Sequence, residues 1–262
     1  VVPITTSIED NFALPPIEAF EALITPKTKA ILICNPGNPT GIMYPKESLE
    51  KLKEIVLKHD LYLIADEVYR EFAYDGLTHH STLGLEGAEE NVIVADSISK
   101  RFSACGARIG CVISRNAGIM NSVLKLAQAR LSPPTLGQIG ATAVYTLPQS
   151  FYDKIVVEYV SRRDEMIRLL NQMEGVLCPQ VNGAFYAMVR LPIDDSEKFC
   201  QWMLEEFEYE GATTMMAPGS GFYATPGLGQ NEVRVAYVLN KLDLQKAMKC
   251  LEEGLKVYPG RS

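Results

Sequence analysis

The sequence predicts an α/β fold in which a larger N-terminal domain, built on a mainly parallel sheet, precedes a smaller α+β C-terminal domain. Short continuous apolar runs recur in the first half, as in strands buried on both faces. An amphipathic helical pattern separates the first two runs, which is the order of a strand–helix–strand unit. After Pro148 the pattern changes to longer helices alternating with single strands.

Four apolar runs are predicted to form the sheet of the first domain. They span residues 29–34, 61–65, 91–95 and 109–113. Between the first two, residues 46–59 place Leu49, Leu52, Ile55 and Val56 at the spacing of one helical face. Because few strands precede residue 100, we expect this sheet to be incomplete and the chain to begin within a domain.

Five further elements are predicted beyond Pro148. They are a helix over 151–173, a strand over 184–189, a helix over 197–207, a strand over 232–238 and a helix over 243–257. We place the domain boundary inside the first of these helices. The predicted domains are therefore 1–155 and 156–262.

Composition excludes several classes of partner. A formal net charge of −7 argues against nucleic-acid binding, which favours a basic face. No run approaches the roughly 20 apolar residues of a membrane span, so we expect no membrane partner. Six cysteines without Cys-x-x-Cys spacing predict neither a disulfide framework nor a metal site, and reduced thiols favour the cytoplasm. The pair His79-His80 is expected to be solvated rather than metal-binding.

Unusual polar residues follow three of the predicted strands. The first strand runs into residues 35–41 (NPGNPTG), the second into 66–69 (DEVY), and the third into 96–100 (DSISK), with Arg108 eight residues further on. In open parallel sheets, ligands bind beyond the carboxyl ends of the strands. We therefore expect an amide, a carboxylate, a phenol, an amine, hydroxyls and a guanidinium near one edge.

These groups suit pyridoxal 5′-phosphate. Its aldehyde forms a Schiff base with a lysine amine, and a carboxylate beside its pyridine nitrogen favours the protonated ring. Its phosphate needs an arginine, hydroxyls and backbone amides. Taken singly, the motifs have plainer explanations: turn chemistry for the NPGNP run, a helix cap at Asp66, a solvated pair at Lys100 and Arg101, and an ion pair between Arg234 and Glu232.

The ordered set NPGNPTG, DEVY and SISK, followed by Arg-Ile-Gly, resembles the class I and II aminotransferases of fold type I, the aspartate-aminotransferase superfamily. The likeness runs from about residue 25 to the C-terminus. It implies a large domain like that of other pyridoxal-phosphate transferases, and transfer of an amino group from an L-amino acid to a 2-oxo acid in two ping-pong half-reactions. It also implies a homodimer.

The resemblance implies cofactor-binding roles for seven residues: Asn38, Asp66, Tyr69, Ser97, Ser99, Lys100 and Arg108. Three of them would also be catalytic. Lys100 would hold the aldehyde and later move a proton between the substrate and the cofactor, Asp66 would pair with the pyridinium, and Tyr69 would donate to the phenolic oxygen, as would Asn38. Ser97 and Arg108 would hold the phosphate with help from Ser99.

The resemblance also implies a substrate site. Arg234, in residues 232–237 (EVRVAY), matches the arginine that binds a substrate α-carboxylate, a task that suits a bidentate guanidinium. Phe185 would line the site, and Asn38 would contribute to it.

Two other functions remain open from the sequence. Lyases and synthases share this scaffold and most of these motifs, because a fold does not determine a reaction. The chain is alternatively a non-catalytic fragment or a module of a regulator. Family members carry an earlier segment with a phosphate loop and a ring-stacking aromatic residue, neither of which this sequence contains, so we expect reduced activity from this chain alone.

Overall fold

A four-stranded sheet organises the first part of the chain in the computed structural model, which describes residues 1–262. Its strands are β1 (Ala30–Cys34), β2 (Tyr62–Asp66), β3 (Val92–Ser97) and β4 (Gly110–Ile113), in that spatial order. β2 pairs in parallel with both β1 and β3, whereas β4 is antiparallel to β3. The prediction of an α/β fold with a mainly parallel sheet is confirmed.

Four helices and part of a fifth accompany this sheet: α1 (Ile17–Glu21), α2 (Lys46–Lys58), α3 (Ala117–Arg130), α4 (Thr135–Val144) and the start of α5 (Gln149–Leu170). The predicted apolar face of α2 is buried. α3 and α4 were not predicted, and α3 buries none of its residues, so its sequence carries no core-facing stripe. No helix has both the length and the apolar character needed to cross a membrane.

A three-stranded antiparallel sheet organises the last part of the chain. Its strands are β5 (Tyr186–Arg190), β6 (Ala217–Pro218) and β7 (Glu232–Ala236), in the order β5-β7-β6. The second part of α5 and two further helices complete it, α6 (Ser196–Glu205) and α7 (Lys241–Val257). The predicted strands and helices of this part are present, and β6 is the one strand that the sequence did not predict, because two residues show no alternation.

The chain separates into two compact units. Leu14–Gly37 and Met43–Val156 form what we call the parallel unit; Val1–Ala13, Asn38–Ile42 and Val157–Ser262 form the antiparallel unit. Two short segments from the first third of the chain thus group with its end. The division into domains at residue 155 stays a prediction.

Apolar packing explains why the first residues belong to the antiparallel unit. Ile8 and Phe12 are buried in one cluster with Met188 of β5, and Ile42 and Tyr223 pack against that cluster. Burial of apolar side chains is the dominant favourable term in folding, so these contacts hold both short segments in this unit.

Gly41 is the tightest point of the short segment 38–42. Its carbonyl accepts hydrogen bonds from the amides of Asn182 and Gly183, at 3.1 and 2.8 Å. Its φ is +71°, and a Cβ there would lie 2.3 Å from the carbonyl oxygen of Tyr186. Only glycine combines this conformation with so close an approach.

We therefore expect Gly41→Ala to lower the free energy of unfolding by about 2 kcal/mol or more, through strain and a backbone clash. Urea denaturation followed by circular dichroism measures the change. Gly221→Ala is the matched control in the same unit, because a Cβ there meets no atom within 4 Å and its φ is not positive. Equal, small effects of both substitutions would contradict the prediction.

Candidate active site

The carboxyl ends of β1, β2 and β3 lie at one edge of the parallel sheet because the three strands run in the same direction. Asp66 is the last residue of β2, opposite Cys34 of β1 and Ala95 of β3. Ser97 is the last residue of β3. The sequence motifs after these strands therefore begin side by side, as predicted.

The Asp66 carboxylate is half-buried and held by its own turn. Its Oδ1 accepts a hydrogen bond from the amide of Val68 at 3.1 Å. The backbone of Asp66 is bound as well, because its carbonyl accepts from the amide of Asn35 at 2.9 Å. The side chain is thus oriented at the strand end, while Oδ2 is left for a further partner.

Lys100 and Tyr69 are brought together in the same unit. The Lys100 Nζ lies 5.9 Å from the centre of the Tyr69 ring, over its face. Tyr69 is buried and Lys100 is half-buried. A cation over an aromatic face is attracted by the ring quadrupole, so this contact holds the amine beside the phenol.

The hydroxyls and the guanidinium expected around a phosphate lie near the end of β3. Ser97 Oγ accepts from the amide of Ser99 at 3.2 Å. Ser97 pairs with Gly110 at the start of β4, which places the 108–110 segment alongside. Arg108 is exposed, with a left-handed backbone, and its Nη1 donates to the carbonyl of Cys105 at 3.0 Å.

Arg101 differs from the solvated residue that the plainer explanation requires. It is buried, and its Nη2 binds Asp96 Oδ2. Asp96 also lies 3.5 Å from the guanidinium of Arg70. This buried pair is structural, since it anchors the segment that carries Ser97 and Lys100.

The parallel unit therefore fits pyridoxal phosphate by the chemistry of its donor set. One strand end supplies a carboxylate with a fixed orientation, and the next supplies two hydroxyls. The amine that reacts with an aldehyde lies against a buried phenol. The remaining requirement, a cation for a phosphate, is met by the exposed Arg108.

Arg234 lies in the antiparallel unit, on β7, in contact with three side chains. Its Nη1 donates to Asn38 Oδ1 at 2.9 Å. Its guanidinium carbon lies 4.6 Å from the ring centre of Tyr186 and 4.8 Å from that of Phe222. The two rings and the amide fix the guanidinium while leaving donors for a carboxylate.

The plainer explanation for Arg234, an ion pair with Glu232, is wrong. Side chains two positions apart on a strand point to the same face, yet each of these two residues binds other partners. Its Oε2 accepts from the Tyr223 hydroxyl at 2.6 Å, and its Oε1 lies 3.9 Å from Arg190. Glu232 is thus already paired within the unit.

Phe185 lies in an aromatic cluster of the antiparallel unit. Its ring is buried, 5.6 Å from the centre of Tyr159 and 4.8 Å from that of Tyr186. Tyr186 and Phe222, rather than Phe185, contact Arg234. The sequence did not single out these two rings, because they reach Arg234 from β5 and from a turn that are distant in sequence. The role of Phe185 stays a prediction.

A buried polar cluster of the parallel unit was also missed, and it corrects the prediction for His79. The His79 side chain is only 7% exposed, not solvated, while His80 is exposed. His79 Nε2 lies 3.1 Å from the carbonyl oxygen of Asn35 and 4.0 Å from Glu67 Oε2. The signal in the sequence was the position of Asn35 and Glu67 inside the two strand-end motifs.

The neighbours of His79 determine which ring nitrogen carries its hydrogen and in which direction its pKa shifts. A carbonyl oxygen only accepts hydrogen bonds, so Nε2 carries the hydrogen. Burial lowers the pKa of His79; Arg70 lowers it further, whereas Glu67, the Asn35 carbonyl and Glu71 act in the opposite direction. The ring is therefore neutral near pH 7.

Comparisons with known proteins identify the family of the chain. A family model described as "Aminotransferase class I and II" matches residues 1–251. The chain belongs to this family. Members of the family use pyridoxal 5′-phosphate. An aromatic-amino-acid aminotransferase of Thermococcus litoralis is 31% identical over 259 residues, or 97% of this chain. An aspartate aminotransferase of Bacillus subtilis is 32% identical over 250 residues, or 92% of this chain.

Solved aminotransferases share the fold. The aromatic aminotransferase of Pyrococcus horikoshii matches 96% of this chain with a TM-score of 0.84 and 33% identity. An aspartate aminotransferase mutant of Thermus thermophilus matches 95% with a TM-score of 0.83 and 29% identity. The chain spans between 61% and 66% of the lengths of these four proteins.

The lowered pKa of His79 predicts a pH dependence of stability. As pH falls below about 6.5, the unfolded state binds a proton that the folded state does not, so stability decreases by up to about 1.4 kcal/mol per pH unit from this group. The contribution is complete above that pH and is lost as pH falls towards the folded pKa.

Urea denaturation at a series of pH values measures this effect. We expect His79→Gln to remove this component of the slope, so that the difference in stability between the variant and the wild type changes between pH 7 and 5. His80→Gln is the control, because His80 is exposed. A constant difference across that range would contradict the prediction.

Proposed function

We propose that the full-length protein is a pyridoxal-phosphate-dependent aminotransferase that moves an amino group from an L-amino acid to a 2-oxo acid. The observation that carries the proposal is the juxtaposition, in one unit, of the oriented Asp66 carboxylate at the end of β2 and the Lys100 amine on the face of Tyr69. Relatives named for aspartate and for aromatic amino acids support the reaction class.

The cofactor, when bound, supplies an electron sink for the bond that breaks at the substrate Cα. Lys100 would hold it through Nζ, and its amine would move a proton between the substrate and the cofactor. Asp66 holds a proton at the ring nitrogen, because a carboxylate favours the charged form of a neighbouring base. Tyr69 would donate a hydrogen bond to the phenolic oxygen, and the family resemblance gives Asn38 the same role.

The remaining cofactor residues bind the phosphate. Ser97 and Ser99 offer hydroxyls at the end of β3, and Arg108 offers a guanidinium whose planar fork suits a phosphate. Arg108 makes one bond to a backbone carbonyl, which it exchanges for the stronger charge-assisted bonds to phosphate. These three residues would hold the cofactor by its phosphate.

Arg234 binds the α-carboxylate of the substrate. The rings of Tyr186 and Phe222 hold its guanidinium in place, which reduces the side-chain entropy lost on binding. Asn38 accepts from one of its nitrogens, so both donors of the opposite edge remain for a carboxylate. Phe185 lines the same unit and supports Tyr186.

We also propose that the protein is a cytoplasmic homodimer with its domains divided near residue 155. All six cysteines are free thiols, which supports a reducing compartment. Amino acids and 2-oxo acids, as small molecules, are the proposed substrates, and neither nucleic acid nor membrane is a proposed partner.

The role of Lys100 is tested by borohydride reduction of the full-length protein with pyridoxal phosphate, followed by peptide mapping. We expect the label on Lys100 and a cofactor converted to its amine form by an L-amino acid. Lys100→Ala abolishes both results, whereas Lys125→Ala, at an exposed position of α3, changes neither. Label spread over surface lysines would contradict the proposal. Release of ammonia without the amine form would indicate a lyase.

Arg234→Ala removes the group that binds the α-carboxylate. Two charge-assisted hydrogen bonds contribute about 1.5–3 kcal/mol each, so kcat/KM should fall at least about a hundredfold. The affinity for pyridoxal phosphate should change little. Arg168→Ala, at an exposed position of α5, is the control for both measurements. An unchanged kcat/KM for amino-acid donors would remove Arg234 from the site.

A further inference from the structure

Glu67, next to Asp66, is one of the most buried charged residues of the parallel unit. It is 1% exposed. Its Oε1 accepts two hydrogen bonds from Thr82, one from the amide at 2.8 Å and one from the hydroxyl at 2.9 Å. Its Oε2 is buried without a hydrogen-bond partner. One carboxylate oxygen of Glu67 is therefore anchored by two hydrogen bonds, whereas the other oxygen accepts none.

Asn35 is buried to the same degree on the neighbouring strand end. It is 1% exposed. Its Oδ1 accepts from the amide of Tyr44 at 2.8 Å, while its Nδ2 is buried without a partner. His79 lies between the two residues, since its Nε2 faces the Asn35 carbonyl and Glu67 Oε2.

Fold stability alone does not account for this cluster. A buried polar atom without a partner costs free energy, and a half-satisfied polar network is less stable than apolar residues of the same volume. Polar groups that persist at such a cost are most often found near functional sites. The cluster lies directly behind the strand end that carries Asp66.

Backbone hydrogen bonds connect the cluster to Asp66 on both sides. The Asn35 amide donates to the carbonyl of Asp66 at 2.9 Å, and the Glu67 amide donates to Ala95 at 3.0 Å. His79 binds the carbonyl of the same Asn35. A shift of Asn35 or Glu67 would therefore displace the backbone of Asp66. The hydrogen bond between the Asp66 Oδ1 and the Val68 amide would be displaced with it.

We propose that His79 and Glu67 are positioning residues for the Asp66 carboxylate. His79 binds the Asn35 carbonyl and so connects the end of β1 to the end of β2. Glu67, which directly follows Asp66, binds Thr82. Together they fix the carboxylate for the ring nitrogen of the cofactor. This inference rests on the proposed function only in the identity of the group that Asp66 binds.

A matched pair of substitutions at His79 tests the proposal. In His79→Gln, the amide nitrogen occupies the same position along the side chain as Nε2 and can still donate to Asn35. In His79→Asn, a side chain of similar polarity falls short of that carbonyl. Leu52→Ala, in the buried face of α2, is the control for loss of stability elsewhere in the unit.

The first readout needs no cofactor. Hydrogen exchange of the Val68 amide, measured by NMR in the full-length protein without cofactor, reports the bond to Asp66 Oδ1. We expect about tenfold faster exchange in His79→Asn than in the wild type, and near-wild-type exchange in His79→Gln. Exchange in His79→Asn that equals the wild type, or that rises evenly over the whole unit as in Leu52→Ala, would overturn the proposal.

The second readout is the dissociation constant for pyridoxal phosphate. His79→Asn should raise this dissociation constant about tenfold, whereas His79→Gln should leave it near the wild-type value. When Asp66 is already replaced by Asn, adding His79→Asn should raise the constant by less than about twofold, because the effects of coupled residues are not additive. An equal effect of His79→Asn with and without Asp66 would overturn the positioning role.

The two failures are distinguishable. If Asp66→Asn leaves the cofactor's dissociation constant unchanged, the proposed role of Asp66 toward the cofactor fails. The exchange of the Val68 amide then still decides whether His79 positions Asp66. If Asp66→Asn weakens cofactor binding but His79→Asn affects neither readout, the proposed function stands and the positioning role is wrong.

Discussion

The parallel pairing of β2 with both β1 and β3 is the constraint on which the proposed cofactor residues of the parallel unit depend. Because neighbouring parallel strands end at the same edge, the residues after each strand become neighbours although about 30 positions separate them in sequence. Asp66 and Ser97 need no long-range contact of their own to lie on adjacent strand ends. The antiparallel β4 then brings Arg108 back beside Ser97.

The position of Arg234 depends on a different interaction, the contact of its guanidinium with two aromatic rings. Arg234 occupies a strand of the antiparallel unit, where a charged side chain is costly unless it is paired or stacked. The guanidinium stacks on Tyr186 and Phe222 and donates a hydrogen bond to Asn38, which offsets this cost. The same contacts orient its remaining donors. The proposed cofactor residues Asp66 and Lys100 thus belong to the parallel unit, and Arg234, proposed to bind a carboxylate, belongs to the antiparallel unit.

Much of this could be predicted from the sequence, and the exceptions have physical causes. The strands β1 to β3 and the helix α2 follow from apolar periodicity, and the strand-end motifs single out Asp66 and Lys100 as candidate site residues. α3 was missed because it has no buried face, and β6 because it has two residues. The burial of His79 and the contact of Tyr186 with Arg234 depend on tertiary packing, which no local pattern records.

The protonation state of the cofactor's ring nitrogen tests the central claim most directly. It is measured by ¹⁵N NMR of labelled pyridoxal phosphate bound to the full-length protein, at a pH at which the free ring nitrogen is unprotonated. We expect a protonated nitrogen in the wild type and a neutral one when Asp66 is replaced by Asn. A neutral nitrogen in the wild type would contradict it, because the Asp66 carboxylate would then not face the ring.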